Sequence, residues 1–152
     1  MIVYRISKAR YKNDISGTGA KLYGSRWNIA GVPMLYTAEN ISLAVLEILV
    51  HLQDVEIPTD YWLVKIQVPD DGKITTIEPG KLKKRWQDDA GYTQFIGSEF
   101  IKNNDSLVLK VPSAVITEEC NYLLNPLHKN FTKAKIIDTR EFNFDHRLLS
   151  FT

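Results

Sequence analysis

Short runs of β-branched and aromatic residues recur along the chain and read as strands. They are IVYRI at 2–6, PMLYT at 33–37 with Pro33 at its start, YWLVKIQV at 61–68 and KITTI at 73–77. SLVLKVP at 106–112, AVIT at 114–117, CNYLL at 120–124 and AKIIDT at 134–139 form a later strand cluster. Two stretches follow the helical period instead. Ile41 to Leu52 is apolar at almost every position, and the helix there is expected to run to about Gln53, capped by Asn40 or Ser42. Tyr92, Phe95, Ile96 and Phe100 predict a second helix over 90–103. Residues 12–25 hold Ser16, Gly17, Gly19, Gly24 and Ser25, so they read as a loop, and Pro79 and Gly80 break the chain again. Strands and helices do not alternate regularly, which argues for α+β rather than a doubly wound sheet.

One charge does not fit this pattern. Glu47 sits in the middle of the apolar helix, sharing a face with Leu43, Ala44, Val50 and His51. An isolated buried carboxylate loses its hydration, so it needs a partner, a cleft or a thin exposed stripe. An ion pair with His51 is the plain alternative. Just upstream stand Arg26, Trp27 and Asn28, then Tyr36 in the preceding strand. Arg offers a planar fork suited to phosphate, and Trp and Tyr offer flat faces for a planar ring. A carboxylate can stabilise an oxocarbenium-like sugar centre. Together these types suit a sugar phosphate bearing an aromatic base. Each also has a structural alternative: Trp27 and Tyr36 as core aromatics, Arg26 as a loop ion pair.

Composition narrows the picture only a little. The chain has 152 residues, one domain by size, with 44% hydrophobic and 24% charged residues. The net charge of +1 gives no general footprint for nucleic acid or an anionic membrane. The dense basic run, Lys81, Lys83, Lys84 and Arg85, reads as a solvated connection. Cys120 is the single cysteine, so no internal disulfide can form. The N-terminus lacks a secretory pattern, and no run approaches the roughly 20 apolar residues of a membrane helix. A cytoplasmic location is the expectation. His51, His128 and His146 show no zinc-ligand spacing, so no metal is assigned.

A second group of polar residues lies in VPSAVITEECNYLLNPLH, 111–128. Ser113 follows Pro112, and Asn121 and Asn125 sit at strand ends. Without a Gly-x-Ser-x-Gly elbow, Ser113 is read as orienting a substrate or a loop rather than as a nucleophile.

These segments carry a resemblance. GSRWNIAGVPMLYTAENISLAVLEILVH together with LKVPSAVITEECNYLLNPLH resembles the RES domain family, the toxin half of bacterial Xre–RES toxin–antitoxin pairs. Its characteristic Arg, Glu and Ser match Arg26, Glu47 and Ser113. Ser25, where the pattern has Gly, is a mild departure. The resemblance spans nearly the whole chain and implies a single RES domain over 1–152. It implies an ADP-ribosyltransferase-like split or curved sheet flanked by helices. It also implies cleavage of NAD at the nicotinamide–ribose bond, by hydrolysis or phosphorolysis, with NAD as substrate rather than cofactor. Glu47, Arg26, Tyr36 and Ser113 would be the catalytic set, and Arg26, Trp27, Asn28, Tyr36, Ser113 and Asn121 would bind the substrate. Protein or nucleic-acid ADP-ribosylation at the same site, and a non-catalytic nucleotide-binding module, are the alternatives. The implied partner is an Xre-type helix-turn-helix antitoxin in a hetero-oligomer. DNA contact would come from that partner, with no direct nucleic acid or membrane contact by this chain.

Overall fold

The computed structural model describes residues 1–52, 57–70 and 73–149. Seven strands form one mixed sheet: β1 (Ile2–Lys8), β2 (Leu35–Ala38), β3 (Tyr61–Gln67), β4 (Ile74–Thr76), β5 (Val108–Pro112), β6 (Cys120–Leu124) and β7 (Lys135–Phe142). Their spatial order is β4-β5-β6-β2-β1-β3-β7. Only β4 and β5 pair in parallel; the other neighbours are antiparallel. Among the described residues three α-helices accompany the sheet: α1 (Thr18–Tyr23), α2 (Ile41–Leu49) and α3 (Ala90–Asn103). Strands first and helices interspersed irregularly is the α+β architecture expected from the sequence.

The sheet is split at its centre. β1 and β2 register at the single pair Tyr4↔Ala38, whereas β1 and β3 pair over seven residues. Continuing the β1–β2 register would set Arg5 against Thr37 and Ile6 against Tyr36. Those four residues line a cleft instead. The split is what opens a binding space in an otherwise hydrogen-bonded sheet.

Alternation along the strands sends residues to two faces. On one face Val3, Leu35, Val64, Ile66, Val108 and Leu124 form a core cluster. On the other, α3 covers β5 and β6 through Phe100, Ile101, Leu109, Val111 and Leu123. On that same face α2 packs Leu43, Ala44 and Val45 over Ile6 of β1 and Leu63 of β3. The cleft lies between these two helices.

Asn40, not Ser42, caps α2: its Oδ1 accepts from Leu43 N–H at 2.8 Å. The helix stops at Leu49, earlier than expected, and the chain closes in tight turns as Val50, His51 and Leu52 donate back to Leu46, Ile48 and Leu49. Gln53 lies outside the described residues. Two expectations are corrected. AVIT at 114–117 is a turn between β5 and β6 rather than a strand. Ser113 Oγ accepts from Val115 N–H at 3.0 Å and Ile116 N–H at 3.1 Å, which takes the donors a strand ladder would need. The loop at 12–25 contains α1, a helix with no buried residue. In the basic run, Lys83 pairs with Asp89 and Arg85 with Asp88, so two of its four charges have carboxylate partners.

Candidate active site

α2 begins directly after β2, so the cap at Asn40 fixes where each of its residues points. Glu47 lands on the wall of the cleft, half-buried. Its Oε1 accepts from Ser113 Oγ at 2.8 Å and from Asn121 Nδ2 at 2.6 Å. Among the described residues neither a bond to Oε2 nor an ion pair with His51 occurs. One oxygen is thus fixed by two donors and the other is left for the cleft. Asn121 itself lines the cleft, and Ser113 stands behind Glu47, fully buried.

Ser113 has no capacity left for a substrate. Its hydroxyl donates to Glu47 and accepts two backbone N–H groups. It is a positioning residue for the carboxylate, and the expectation that it contacts substrate directly is corrected on that ground.

Arg26 enters from the opposite wall. Nη1 donates to the Gln87 carbonyl at 2.8 Å, and the Arg26 carbonyl accepts from Thr93 Oγ1 of α3 at 2.5 Å. Gln94 adds a bond to the Ser25 carbonyl at 2.9 Å. The residue is therefore held by α3 and the preceding turn, while its guanidinium lines the cleft without a carboxylate partner among the described residues.

Tyr36 lines the cleft with its ring but spends its hydroxyl on structure. It donates to Asn28 Oδ1 at 2.7 Å and accepts Trp27 N–H at 2.9 Å. Burial pushes its phenol up to about 12, against weaker opposing effects from hydrogen bonds and Arg26. The proton stays on the oxygen through the neutral range, so Tyr36 is no general base. Its contribution to stability is complete below pH 10, the ordinary value, and is lost as pH rises through 12.

The side chains of Asn28 and Trp27 are committed to the fold. Asn28 is fully buried, and its amide donates to the carbonyls of Ala20, Ile29 and Val32. It knots the loop together and offers nothing to the cleft. Trp27 is 2% exposed and its ring packs on Trp86 at 5.7 Å, so it is a core aromatic at the edge of the cleft lining. Their value to the site is indirect: they fix the backbone that carries Arg26. Tyr36→Phe should accordingly strand Asn28 Oδ1 and Trp27 N–H. We expect a loss of about 1–3 kcal/mol on chemical denaturation, with weaker ligand binding in the cleft. Unchanged stability would show that these bonds do not hold the loop.

Several lining residues carried no sequence signal of their own: Arg5, Asp14, Thr18, Tyr23 and Gln94. The cleft encloses about 720 Å³, within the range of small-molecule sites.

Comparison with known proteins bears on this geometry. The RES domain family model matches residues 2–145. The chain belongs to the RES domain family. It is 40% identical over 153 residues to a protein named Toxin Res from Photorhabdus laumondii, covering 98% of this chain and 97% of that one. It is 36% identical over 141 residues to a Prs ADP-ribosylating toxin from Sphingobium, covering 90% and 88%. A solved structure, the M. tuberculosis MbcT–MbcA toxin–antitoxin complex, superposes with a TM-score of 0.76 at 19% identity, covering 97% of this chain and 86% of that chain. This likeness shows the RES fold. The family is shared with proteins named Toxin Res. The Arg, Glu and Ser that marked the resemblance are, in this RES domain, two walls of one cleft and the residue that steadies the carboxylate.

Proposed function

We propose that this RES-domain toxin cleaves NAD at the nicotinamide–ribose bond and so depletes the cellular pool. The observation that carries the reading is the Glu47 carboxylate, fixed through Oε1 by Ser113 and Asn121, in a cleft that also holds Arg26, which has no carboxylate partner among the described residues. Arg26 takes negative charge of the pyrophosphate, and the Tyr36 ring flanks a planar group. The C1′–N bond breaks with its electron pair going to the nicotinamide nitrogen. Positive charge develops on the ribose, where Glu47 stabilises it. Nicotinamide leaves neutral, so no general acid is required and one carboxylate suffices. Water or phosphate then bonds to C1′; with water, a proton is released. Among the described residues no helix is long and apolar enough to cross a membrane.

A second reading is transfer of the ADP-ribose to a macromolecule, favoured by the name of the Sphingobium relative. The partner we propose is an Xre-type antitoxin, which the complex solved for the structural neighbour supports. Incubating the purified chain with labelled NAD separates the possibilities. Free nicotinamide with no labelled macromolecule is expected. Label on a macromolecule would establish transfer, and binding without turnover would reduce the site to a nucleotide-binding module.

Arg26→Lys should weaken NAD use only in part. Lysine keeps a charge but cannot both hold the Gln87 carbonyl and present a planar fork. We expect KM to rise roughly 10-fold with a smaller change in kcat, and Arg26→Ala to be worse. Equal activity in Arg26→Ala and wild type would remove Arg26 from the site.

A further inference from the structure

We propose that Tyr23 is a stacking platform at the rim of the cleft for the second base of a dinucleotide, the one that does not leave. This rests on the NAD reading above and adds a residue and a substrate requirement to it. Tyr23 closes α1 and lines the cleft. It is 86% exposed, more than any other large hydrophobic side chain among the described residues. Neither its hydroxyl nor its ring has a hydrogen bond, a ring contact or a cation over it among the described residues. An aromatic ring left in water on a cleft wall gains from any flat apolar surface that covers it.

The ring stands on a fixed backbone, although α1 buries nothing of its own. The Ala20 carbonyl accepts from Asn28 Nδ2 and from Gly24 N–H, both at 2.8 Å. The Lys21 carbonyl accepts from Gly31 N–H at 2.7 Å. At the other end, a Cβ on Gly17 would lie 2.9 Å from the Met34 backbone, so the helix starts in close contact with the chain behind it. A ligand stacking on Tyr23 therefore does not have to order the helix that carries it.

Exposure orders the cleft from inside to outside. Glu47 is held by the fully buried Ser113, and Tyr36 is half-buried with its hydroxyl spent on the loop. These mark the inner end, where the bond to nicotinamide lies in the NAD reading. Tyr23 marks the outer end. A dinucleotide with nicotinamide inside carries its other base outward, to this ring. Stacking reads a ring face and not a base edge, so a purine without the adenine amino group should serve equally well.

The experiment uses the purified full chain with no partner protein. Nicotinamide mononucleotide has the same reacting bond as NAD and lacks the second base. In Tyr23→Ala the ratio of kcat/KM for NAD to that for the mononucleotide should fall roughly 5- to 100-fold, through the KM for NAD and with kcat little changed. Tyr23→Phe keeps the ring and should keep the wild-type ratio. Both variants should melt with wild type, because the side chain lies in solvent. Calorimetric titration with AMP gives a second readout: wild type and Tyr23→Phe should bind it alike, and Tyr23→Ala at least about 5-fold more weakly. A tyrosine that serves only to dock a partner would leave the ratio and the AMP affinity unchanged in Tyr23→Ala, and that result would overturn the proposal. So would a Tyr23→Phe protein as impaired as Tyr23→Ala, or AMP that fails to bind wild type. If wild type releases no nicotinamide from NAD, the NAD reading fails, and the AMP titration still decides whether Tyr23 stacks a base.

Discussion

Gly97→Ala should destabilise the chain severely and disable the cleft, although Gly97 touches no substrate. A Cβ built there would lie 1.8 Å from the Trp27 carbonyl oxygen and 2.8 Å from its carbon. Both are backbone atoms, in a segment whose neighbours Trp27 and Asn28 are buried. The strain cannot be relieved by turning a side chain. Either α3 or the Arg26–Asn28 segment must move. Overpacking of this kind usually costs roughly 1–3 kcal/mol, and a backbone clash belongs at or above the upper end. We expect the melting temperature to fall by roughly 5–10 °C. Any shift of α3 also breaks the bonds from Thr93 to Arg26, from Gln94 to Ser25 and from Ile29 N–H to Ser98. Arg26 would then lose its placement, and the KM for NAD should rise in whatever fraction remains folded. A Gly97→Ala protein that melts like wild type would show that α3 does not approach Trp27 this closely.

How far the sequence led to this picture can be judged from particular elements. α3 was legible to the residue, because Tyr92, Phe95, Ile96 and Phe100 keep the helical period between Asp89, its cap, and Asn104 in a left-handed conformation. α1 was not legible. It has six residues, begins after Gly17 at positive φ and buries nothing, so no amphipathic signal exists to detect. AVIT misled for a different reason. Its β-branched residues favour a strand, but the Ser113 hydroxyl captures two of the backbone donors and turns the chain. At the site, Glu47 announced itself as a charge in an apolar helix. Asn28 and Trp27 did not announce their burial, because residue type alone cannot tell a buried loop knot from a ligand contact. Arg5 escaped notice because one arginine in a strand carries no pattern; only the split between β1 and β2 gives it a cleft to face.

Glu47→Gln carries the largest expected effect on rate. The amide oxygen can occupy the place of Oε1 and still accept from Ser113 and Asn121, which leaves the amide nitrogen toward the cleft. The carboxylate is therefore not an uncompensated charge whose removal stabilises the helix. Its two donors exchange an ionised acceptor for a neutral one, at a cost of about 1 kcal/mol. The fold and the ground-state affinity for NAD should both survive. What disappears is negative charge beside a ribose that becomes cationic in the transition state. Losing such a stabiliser lowers turnover by about 100-fold or more, with little change in binding. In cells without antitoxin, wild type should lower NAD and halt growth, whereas Glu47→Gln should be tolerated.

The direct measurement is nicotinamide release from NAD by purified wild type and Glu47→Gln at equal concentrations, with folding of each verified by its melting curve. Wild type is expected to release nicotinamide steadily, and the folded variant about 100-fold more slowly or worse. A folded Glu47→Gln protein that cleaves NAD at the wild-type rate would contradict the assignment of Glu47 as the group that drives the reaction.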